Sequence, residues 1–205
     1  MADYRLYCFD KSGNSYKVAL MLNLSGTEWE PHFVDFFNGE TDTPEFRKLN
    51  VMGEVPLLLH DGKVLAQSGV ILDYLTEKLG TFGAHNDDER REILRWILFD
   101  NHKLTSYTAT LRFIRTFTDQ GENEVTAFLE TRSKGALKVL DTHLASNRFA
   151  LGDRLTIADF SMCGYLYYED EIGIDFAEFP NMQRWLEEIK SQEGWKHPYD
   201  LMPGA

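Results

Sequence analysis

GEVPLLLHDGKVLAQSGVILDY, residues 53–74, contains the strongest local structural signals in this chain. An apolar run from Val55 to Leu59 is separated from a second short apolar run, Val64 to Ala66, by the pair Asp61-Gly62, which favours a tight turn between antiparallel strands. The polar residues Gln67-Ser68-Gly69 then end the second strand, and apolar residues recur with helical spacing after them. The stretch therefore predicts a β-hairpin followed directly by a helix.

Pro56 stands at the mouth of the first of these strands. A proline has no N–H to donate to a strand ladder, so it belongs at a strand start or at a sheet edge. In a tight turn, such a proline often follows a cis peptide bond. A cis bond at Val55-Pro56 would present the N–H and C=O of Val55 as a small docking edge for another backbone-like group. An ordinary strand-edge proline is the alternative at this point.

The residues before the hairpin predict the rest of an α/β unit. The order of elements over the first eighty residues is strand, helix, strand, helix, strand, strand, helix, which requires a mixed sheet with a right-handed parallel crossover followed by an antiparallel hairpin. The elements expected before the hairpin are a strand at Tyr4–Phe9, a helix from about Ser15 to Ser25, a strand at Trp29–Phe36 broken by Pro31, and a short helix from the N-cap Thr43 to Leu49.

The second half of the chain has helical periodicity throughout. Residues 81–87 are rich in turn formers and read as a linker, so residues 88–205 are predicted to form an all-helical domain. Thr156 and Asp159 have the spacing of a capping box, in which each side chain binds the main chain of the other residue at a helix start. The aromatic tail from Trp195 is expected to pack back onto the protein.

Composition excludes several functional classes. The chain of 205 residues has 21 Lys and Arg against 33 Asp and Glu, so its formal net charge is −12 and no nucleic-acid partner is expected. No apolar run of ~18 residues and no signal-peptide pattern is present, which predicts no membrane partner. Cys8 and Cys163 are too few and too distant for a disulfide framework, which favours the cytoplasm. The scattered histidines lack metal-ligand spacing, so no metal site is predicted.

Taken together, these motifs resemble those of the cytosolic glutathione transferases. The most specific parts are Val55-Pro56, Gln67-Ser68, and Leu151-Gly152-Asp153 followed by the Thr156–Asp159 box, and the resemblance covers essentially the whole chain. It implies an α/β plus all-α fold, with a thioredoxin-like N-terminal domain (βαβαββα) at residues 1–80 and a helical-bundle C-terminal domain. It also implies glutathione as co-substrate without a metal, a hydrophobic electrophile as second substrate, and a homodimer.

The resemblance assigns a glutathione site to residues 53–74. By similarity, a cis Val55-Pro56 bond lets the Val55 backbone pair with the cysteinyl backbone of glutathione, Gln67 and Ser68 hold its γ-glutamyl end, and Asn14 adds a polar contact. A carboxylate at the start of a helix gains roughly 0.3–1 kcal/mol from the helix dipole when it is exposed. Residues 1–80 carry 7 basic and 12 acidic side chains, so local donors must hold this anion.

The loop before the first helix carries the expected catalytic residue. By its place relative to the helix, Ser12 matches the serine or cysteine that stabilises the glutathione thiolate in the serine-type and cysteine-type classes, and the chain is identified as a serine-type member with bacterial, zeta or theta character. Ser15, expected as a simple helix cap, and Tyr7, at the end of the first strand, are the rivals. Thioredoxins and glutaredoxins have a Cys-x-x-Cys pattern in this loop, where this chain has Ser12 and Ser15. Because serine cannot form a mixed disulfide, protein-driven thiol–disulfide exchange is not expected there.

The resemblance places the second substrate between the two domains, against the helical one. Asp100 is a further candidate, which could reach the glutathione of the partner subunit in a dimer, and His102 could assist as a base. The residues expected at the second-substrate site are Asn101, His102, Thr105 and Tyr165, with Trp195 and Tyr199 from the tail.

Three functional hypotheses follow from the resemblance. The first is a glutathione transferase that adds glutathione to alkyl or aryl electrophiles and acts in detoxification. The second is a glutathione-dependent isomerase, reductase or ether-cleaving enzyme of the same fold. The third is a non-catalytic glutathione- or ligand-binding regulatory protein. The intact Ser12, Val55-Pro56 and Gln67-Ser68 favour an enzyme.

Overall fold

The structure is a computed structural model that describes residues 3–204. It contains the β-hairpin predicted within residues 53–74. Its two strands lie in a four-stranded sheet that belongs to the first of two compact units. The first unit contains residues up to Gly83 together with the tail from Gln192, and the second runs from Ala84 to Ser191. No helix in the described range has the length and apolar character needed to cross a membrane.

The first unit has the predicted order of strands and helices, which confirms the thioredoxin-like fold class. Two short 3-10 turns, Phe36–Asn38 and Glu40–Asp42, separate its second strand from its second helix. The elements are β1 (Tyr4–Cys8), α1 (Gly13–Leu24), β2 (Trp29–Phe33), α2 (Pro44–Leu49), β3 (Leu57–His60), β4 (Lys63–Ala66) and α3 (Ser68–Leu79).

The sheet is mixed, with strand order β2-β1-β3-β4. β1 pairs parallel to β2 and antiparallel to β3, and β3 pairs antiparallel to β4. Pro31 does not break β2, as the sequence had suggested, because it lies inside the strand opposite Leu6. β2 is an edge strand, where a residue without an N–H is tolerated.

Alternation along the central strands sends apolar side chains to both faces of the sheet. Leu58 is fully buried, as are Val18 on α1 and Ile71 on α3, two helices that contact each other. The neighbouring Leu57 belongs to a separate cluster with Val34 and Phe46. Leu57 and Leu58 are both fully buried on opposite faces, and a shift of the strand register by one residue would exchange their faces.

The C-terminal tail packs on the first unit, as its aromatic composition had suggested. It includes the short helix α10 (Pro198–Leu201), which contacts α1. The Tyr16 hydroxyl donates to the Lys196 carbonyl at 2.8 Å, and the Asp10 N–H donates to the Pro203 carbonyl at 2.9 Å. These contacts group the tail with the α/β unit, whereas the sequence analysis had grouped it with the helical residues 88–205.

The second unit is helical. A π-helical turn, Asp100–Leu104, joins its first two helices and changes the main-chain hydrogen bonding between them. The helices are α4 (Asp87–Phe99), α5 (Thr105–Phe117), α6 (Glu124–Leu144), α7 (Ile157–Cys163), α8 (Glu169–Ile172) and α9 (Pro180–Lys190).

The predicted capping box at the start of α7 is confirmed. The Asp159 Oδ2 atom accepts from the Thr156 N–H at 2.9 Å and from its hydroxyl at 3.0 Å. The Oδ1 atom accepts from the Ala150 N–H at 2.8 Å and from the Trp185 indole at 2.9 Å. Burial raises the pKa of this carboxyl group, while the same hydrogen bonds act in the opposite direction. The box therefore ties α7 to the preceding loop and to α9.

Candidate functional site

Three segments of the first unit meet at one end of its sheet. Leu57, the first residue of β3, pairs with Tyr7 near the end of β1 and with Ala66 at the end of β4. Three segments therefore leave the sheet at the same end: the loop after β1, the residues just before β3 and the residues just after β4. These segments contain Ser12, Val55-Pro56 and Gln67-Ser68, which are the residues that the sequence had singled out.

Ser12, and not Ser15, is the N-cap of α1. Its backbone is extended (φ −93°, ψ 102°), and its Oγ atom accepts a hydrogen bond from the Ser15 N–H at 3.2 Å. The helix begins at Gly13, two residues earlier than expected. The prediction that Ser15 caps the helix is therefore wrong, because the Ser12 oxygen already occupies the N–H that a cap must satisfy.

The cap bond defines what the Ser12 hydroxyl group can still do. The group has one O–H donor and two acceptor positions, and the Ser15 N–H uses an acceptor position. Its proton is free to point outward at the start of α1, where the helix dipole favours negative charge. Ser12 is 6% exposed, so water screens an anion beside it less than on an open surface.

Two further polar side chains lie in the first turn of α1. Ser15 is fully buried, and its Oγ atom has no hydrogen-bond partner. The Oδ1 atom of Asn14 is also buried without a partner. A buried acceptor or hydroxyl group without a partner is uncommon in a folded protein and carries a free-energy cost. Asn14 therefore offers an unused amide oxygen close in sequence to the Ser12 hydroxyl.

Tyr7, the rival catalytic residue, lies on the sheet. Its ring packs against the cluster that contains Val34 and Phe46, and its ring centroid is 4.1 Å from that of His32. It is half-buried. These contacts account for the position of the Tyr7 ring.

The Val55-Pro56 peptide bond is cis, as the resemblance implied. Strand pairing begins only at Leu57, so the N–H and C=O groups of Val55 lie outside the β3 ladder. The Val55 side chain is half-buried and packs against the cluster around Leu57 and Phe46. Val55 thus has an anchored side chain and a main chain that is not used by the sheet.

Gln67 and Ser68 form the junction between β4 and α3. Gln67 has a positive φ of 69°, a conformation that costs a non-glycine residue of order 1–3 kcal/mol and is concentrated at functional sites. Its Nε2 atom donates to Glu54 Oε2 at 3.1 Å and approaches Met52 Sδ at 3.0 Å. Ser68 is the first residue of α3 and is 5% exposed. The junction therefore presents a hydroxyl group and free N–H groups of a helix start.

The Glu54 contact was not foreseen from the sequence. Glu54 precedes the cis bond, and its carboxylate orients the side-chain amide of Gln67. The two residues are separated by the whole hairpin, so only the pairing of β3 with β4 brings them together. The sequence signal for this contact was that Glu54 lies just before the hairpin and Gln67 just after it.

An aromatic cluster borders the Ser12 loop and was also missed. Phe9, whose carbonyl accepts from the Ser12 N–H at 3.0 Å, stacks on Phe36 with a centroid distance of 5.1 Å. Phe37 meets both rings edge-on, at 5.9 Å and 5.4 Å. Phe36 and Phe37 are 36% and 50% exposed. The adjacent phenylalanines before Asn38-Gly39 were the sequence signal of an exposed aromatic turn.

The predicted second-substrate residues of the helical unit differ in their surroundings. Thr105 is buried and donates its hydroxyl to Asp100 Oδ1 at 2.7 Å. The Asn101 side chain donates to the Ile97 carbonyl at 2.8 Å. Asn101 and His102 are both exposed. Tyr165 is half-buried, and its ring centroid lies 6.3 Å from that of Tyr168. Of these four residues, only Asn101 and His102 are exposed, and both lie in the π-helical turn.

Asp100 is not available to a partner subunit. It is fully buried, its Oδ1 atom accepts from Thr105 and its Oδ2 atom accepts from the Ser161 hydroxyl at 2.6 Å. The expectation that Asp100 reaches glutathione across a dimer interface is therefore wrong. Its carboxylate instead ties the π-helical turn to α7.

Comparison with known proteins identifies the family. The sequence model for the glutathione S-transferase N-terminal domain matches residues 2–77, and that for the C-terminal domain matches residues 102–193. Glutathione S-transferase 1 of Dianthus caryophyllus is 31% identical over 183 residues, which is 86% of this chain and 82% of that protein.

Solved structures agree with the sequence comparison. The glutathione S-transferase of Pseudomonas fluorescens Pf-5 is 31% identical, with a TM-score of 0.90 over 96% of this chain and 99% of that one. A glutathione transferase of Burkholderia graminis, solved with two glutathione molecules bound per subunit, is 27% identical, with a TM-score of 0.83 over 94% and 85% of the two chains. With the sheet, the cis bond and the capping box in place, the chain belongs to the cytosolic glutathione transferase superfamily.

Proposed function

We propose that this protein is a serine-type glutathione transferase that joins glutathione to a hydrophobic electrophile bearing an alkyl or aryl centre. The observation that carries the proposal is the convergence of the Ser12, Val55-Pro56 and Gln67-Ser68 segments at one end of the sheet. Each segment presents a different kind of polar group, and together they suit a peptide with a thiol and a carboxylate.

Glutathione binding uses main-chain groups more than charged side chains. The free N–H and C=O of Val55 pair with the cysteinyl backbone of the tripeptide. Ser68 and the first N–H groups of α3 receive the γ-glutamyl carboxylate, which the helix dipole favours. Gln67, oriented by Glu54, donates or accepts at the same end. Asn14 offers its unsatisfied amide oxygen as a further contact.

Ser12 stabilises the glutathione thiolate. Lowering the pKa of a thiol by two units requires about 2.7 kcal/mol of differential stabilisation. A hydroxyl group that donates to a charged acceptor supplies roughly 1.5–3 kcal/mol. The start of α1 adds roughly 0.3–1 kcal/mol. Because the cap bond from Ser15 leaves the Ser12 proton to donate, one serine is sufficient for this purpose.

The reaction is then a nucleophilic displacement or addition. The thiol proton leaves to solvent, and the thiolate sulfur forms a bond to the electrophilic carbon. In a displacement, the bond from that carbon to its leaving group breaks, and the electron pair departs with the leaving group. In an addition, the π electron pair moves to the far atom of the double bond or conjugated system, which takes a proton from solvent. The exposed rings of Phe36 and Phe37, beside the Ser12 loop, support a second substrate of hydrophobic character. Asn101 and His102 are the remaining helical candidates for contact with it.

Two alternatives share the same glutathione site. In an isomerase, the thiolate adds to the substrate and is released unchanged. In a reductase, a second glutathione thiolate takes the bound sulfur as glutathione disulfide, and the substrate keeps the electron pair and takes a proton. In an ether-cleaving enzyme, the thiolate displaces the alkoxide, which takes a proton from solvent. In a regulatory protein, glutathione or another ligand binds without turnover. The buried, proton-bearing Ser12 favours an enzyme over a binding protein. A homodimer, a cytoplasmic location and a role in detoxification belong to the proposal as well.

Calorimetry and conjugation assays test the proposal. Wild-type protein is expected to bind glutathione and to conjugate a chlorinated nitrobenzene, whereas Ser12→Ala is expected to bind glutathione and lose most of the conjugation rate. Binding without conjugation of any electrophile in a screen would favour the regulatory alternative. Full activity of Ser12→Ala, together with loss of activity in Tyr7→Phe, would transfer the catalytic role to Tyr7.

A further inference from the structure

The peptide group that joins Glu54 to Val55 is held by a buried side chain. Asn50, which is 7% exposed, donates from Nδ2 to the Glu54 carbonyl oxygen at 2.9 Å. The Glu54 carbonyl and the Val55 N–H belong to one planar unit, and in a trans peptide they point in opposite directions. The bond from Asn50 therefore fixes the direction of the Val55 N–H, which points away from Asn50.

Asn50 is itself held in place on several sides. Its N–H donates to the Phe46 carbonyl at 3.0 Å at the end of α2, and its carbonyl accepts from the Gly53 N–H at 2.9 Å. Its Oδ1 atom accepts from the Met52 N–H at 3.1 Å. Because both ends of the side-chain amide are engaged, the amide has one orientation that satisfies all of its partners. Residues 50–54 thus fold around this one side chain.

The turn also depends on Gly53. Its φ is +65°, and a Cβ atom at this position would lie 2.3 Å from the guanidinium carbon of Arg47. That guanidinium group donates to the Val51 carbonyl at 2.9 Å and closes the turn from its outer side. A side chain at residue 53 would therefore have to displace Arg47. The turn has a defined geometry directly before Val55.

We propose that Asn50 is a positioning residue for glutathione. By holding the Glu54 carbonyl, it aims the Val55 N–H at the cysteinyl carbonyl of the tripeptide, and this role rests on the proposed function. A carbonyl that accepts a hydrogen bond also polarises its peptide unit, which makes the N–H a stronger donor. Without the Asn50 donor, glutathione binds more weakly, while Ser12 and the chemistry at the sulfur are unchanged.

The test is Asn50→Asp, which preserves the shape of the side chain and an oxygen for the Met52 N–H. It replaces the Nδ2 donor by a carboxylate oxygen that repels the Glu54 carbonyl. We expect the Kd for glutathione, measured by calorimetry, to rise about tenfold, which corresponds to the loss of one good hydrogen bond. At saturating glutathione, kcat and the pH at which the bound thiol ionises are expected to remain those of wild type.

Thr43→Ala is the matched control at the other end of the same helix. Thr43 is the N-cap of α2 and accepts from the Phe46 N–H at 3.2 Å. Its removal lowers the thermal stability of α2 without touching the Glu54–Val55 peptide group. The control is expected to bind glutathione with a Kd within about twofold of wild type.

Two results would overturn the proposal. One is a Kd of Asn50→Asp that stays within twofold of wild type, and the other is an equal rise in Kd in Asn50→Asp and Thr43→Ala, since binding would then follow helix stability. If circular dichroism shows that Asn50→Asp does not fold, the uncharged Asn50→Ala is titrated under the same criteria. A wild-type protein that fails to bind glutathione would instead refute the proposed function, and this inference with it.

Discussion

The Oγ atom of Ser12 accepts a hydrogen bond from the main-chain N–H of Ser15 at 3.2 Å, and this contact caps α1 while leaving the hydroxyl proton available for the proposed contact with the glutathione sulfur. As an N-cap, the oxygen satisfies a donor that the helix leaves unpaired. As a hydroxyl group with one acceptor position occupied, it keeps its proton available to donate to another group. The two roles use different parts of the same group, so they can be separated by experiment.

Ser12→Ala is expected to raise the pH at which bound glutathione ionises. Without the hydroxyl donor, the thiol pKa moves back toward the roughly 8.5 of a free thiol, so the rate of conjugation at neutral pH falls by about tenfold to a hundredfold. Loss of the cap also lowers the free energy of unfolding by about 0.5–2 kcal/mol. The pH dependence of kcat/KM and a urea titration measure the two effects.

Ser15→Ala is the control for this change. The Ser15 hydroxyl has no partner, so its removal leaves the cap bond from the Ser15 N–H intact. The pH profile of this variant should match that of wild type. A shift of the pH profile in Ser15→Ala with no shift in Ser12→Ala would contradict the proposal that Ser12 stabilises the glutathione thiolate.

The choice between these two serines shows where reading the sequence was limited. Ser12-Gly13-Asn14-Ser15 contains two hydroxyls at positions where a helix can start, and local propensity does not distinguish them. The carbonyl of Phe9 decides the matter, because it binds the Ser12 N–H and turns the chain into the helix there. The prediction of Ser12 came from the resemblance, while the identity of the cap came from the structure.

The hairpin, by contrast, could be predicted in detail. Asp61-Gly62 and the two short apolar runs on either side of it define a local structure, and the strands form at Leu57–His60 and Lys63–Ala66. The π-helical turn could not be predicted, since Asp100 is bound by Ser161, a residue 61 positions away. Contacts of such long range leave no periodic signal in the sequence.

Phe36→Ala and Phe37→Ala are expected to weaken binding of an aromatic electrophile. Both rings are exposed beside the Ser12 loop, and truncation removes the apolar surface and ring edges that an aromatic substrate would contact. Each change should raise the KM for a chlorinated nitrobenzene by roughly threefold to tenfold, in keeping with about 0.5–1.5 kcal/mol for an aromatic pair. Steady-state kinetics at saturating glutathione measures this effect.

The matched control for the aromatic pair is Phe128→Ala, which truncates an exposed phenylalanine of the helical unit. Its KM for the same electrophile should be that of wild type. The KM for glutathione should stay unchanged in all three variants, because none of these rings belongs to the proposed glutathione contacts. A rise in the KM for glutathione in Phe36→Ala would show that the turn supports that site instead.

Asp159→Asn is expected to destabilise the protein strongly without a direct effect on glutathione affinity. The amide nitrogen that replaces one carboxylate oxygen cannot accept from the Thr156 or Ala150 N–H groups, so at least one buried donor loses its partner. Each unsatisfied buried group costs about 1–3 kcal/mol. Trp185→Phe, which removes only the indole donor, should cost less. Chemical denaturation of the three proteins gives the order; equal stability of wild type and Asp159→Asn would contradict it.

Arg115 provides a prediction on acid stability. Its guanidinium group donates to the carboxylates of Glu122 at 2.7 Å and Glu130 at 2.8 Å, and to the Ile172 carbonyl at 2.6 Å. The hydrogen bond from Arg115 lowers the pKa of the Glu130 carboxyl below its ordinary value of 4.5. A carboxyl whose pKa is lower in the folded state stabilises the fold above the unfolded-state pKa, and this contribution disappears as the pH falls through the folded-state value.

Arg115→Met should therefore destabilise the helical unit more at pH 7 than at pH 3. The loss at pH 7 combines the ion pairs with Glu122 and Glu130 with the hydrogen bond to Ile172, whereas acidification through the folded-state pKa values of the two carboxyl groups removes the ion-pair contribution and leaves the Ile172 contact. Urea titrations of wild type and Arg115→Met at both pH values measure the difference in unfolding free energy. Arg91→Met is the control, because the Arg91–Asp88 pair is exposed and such pairs contribute little. A difference for Arg115→Met that is equal at the two pH values would show that the ion pairs with Glu122 and Glu130 do not contribute to stability.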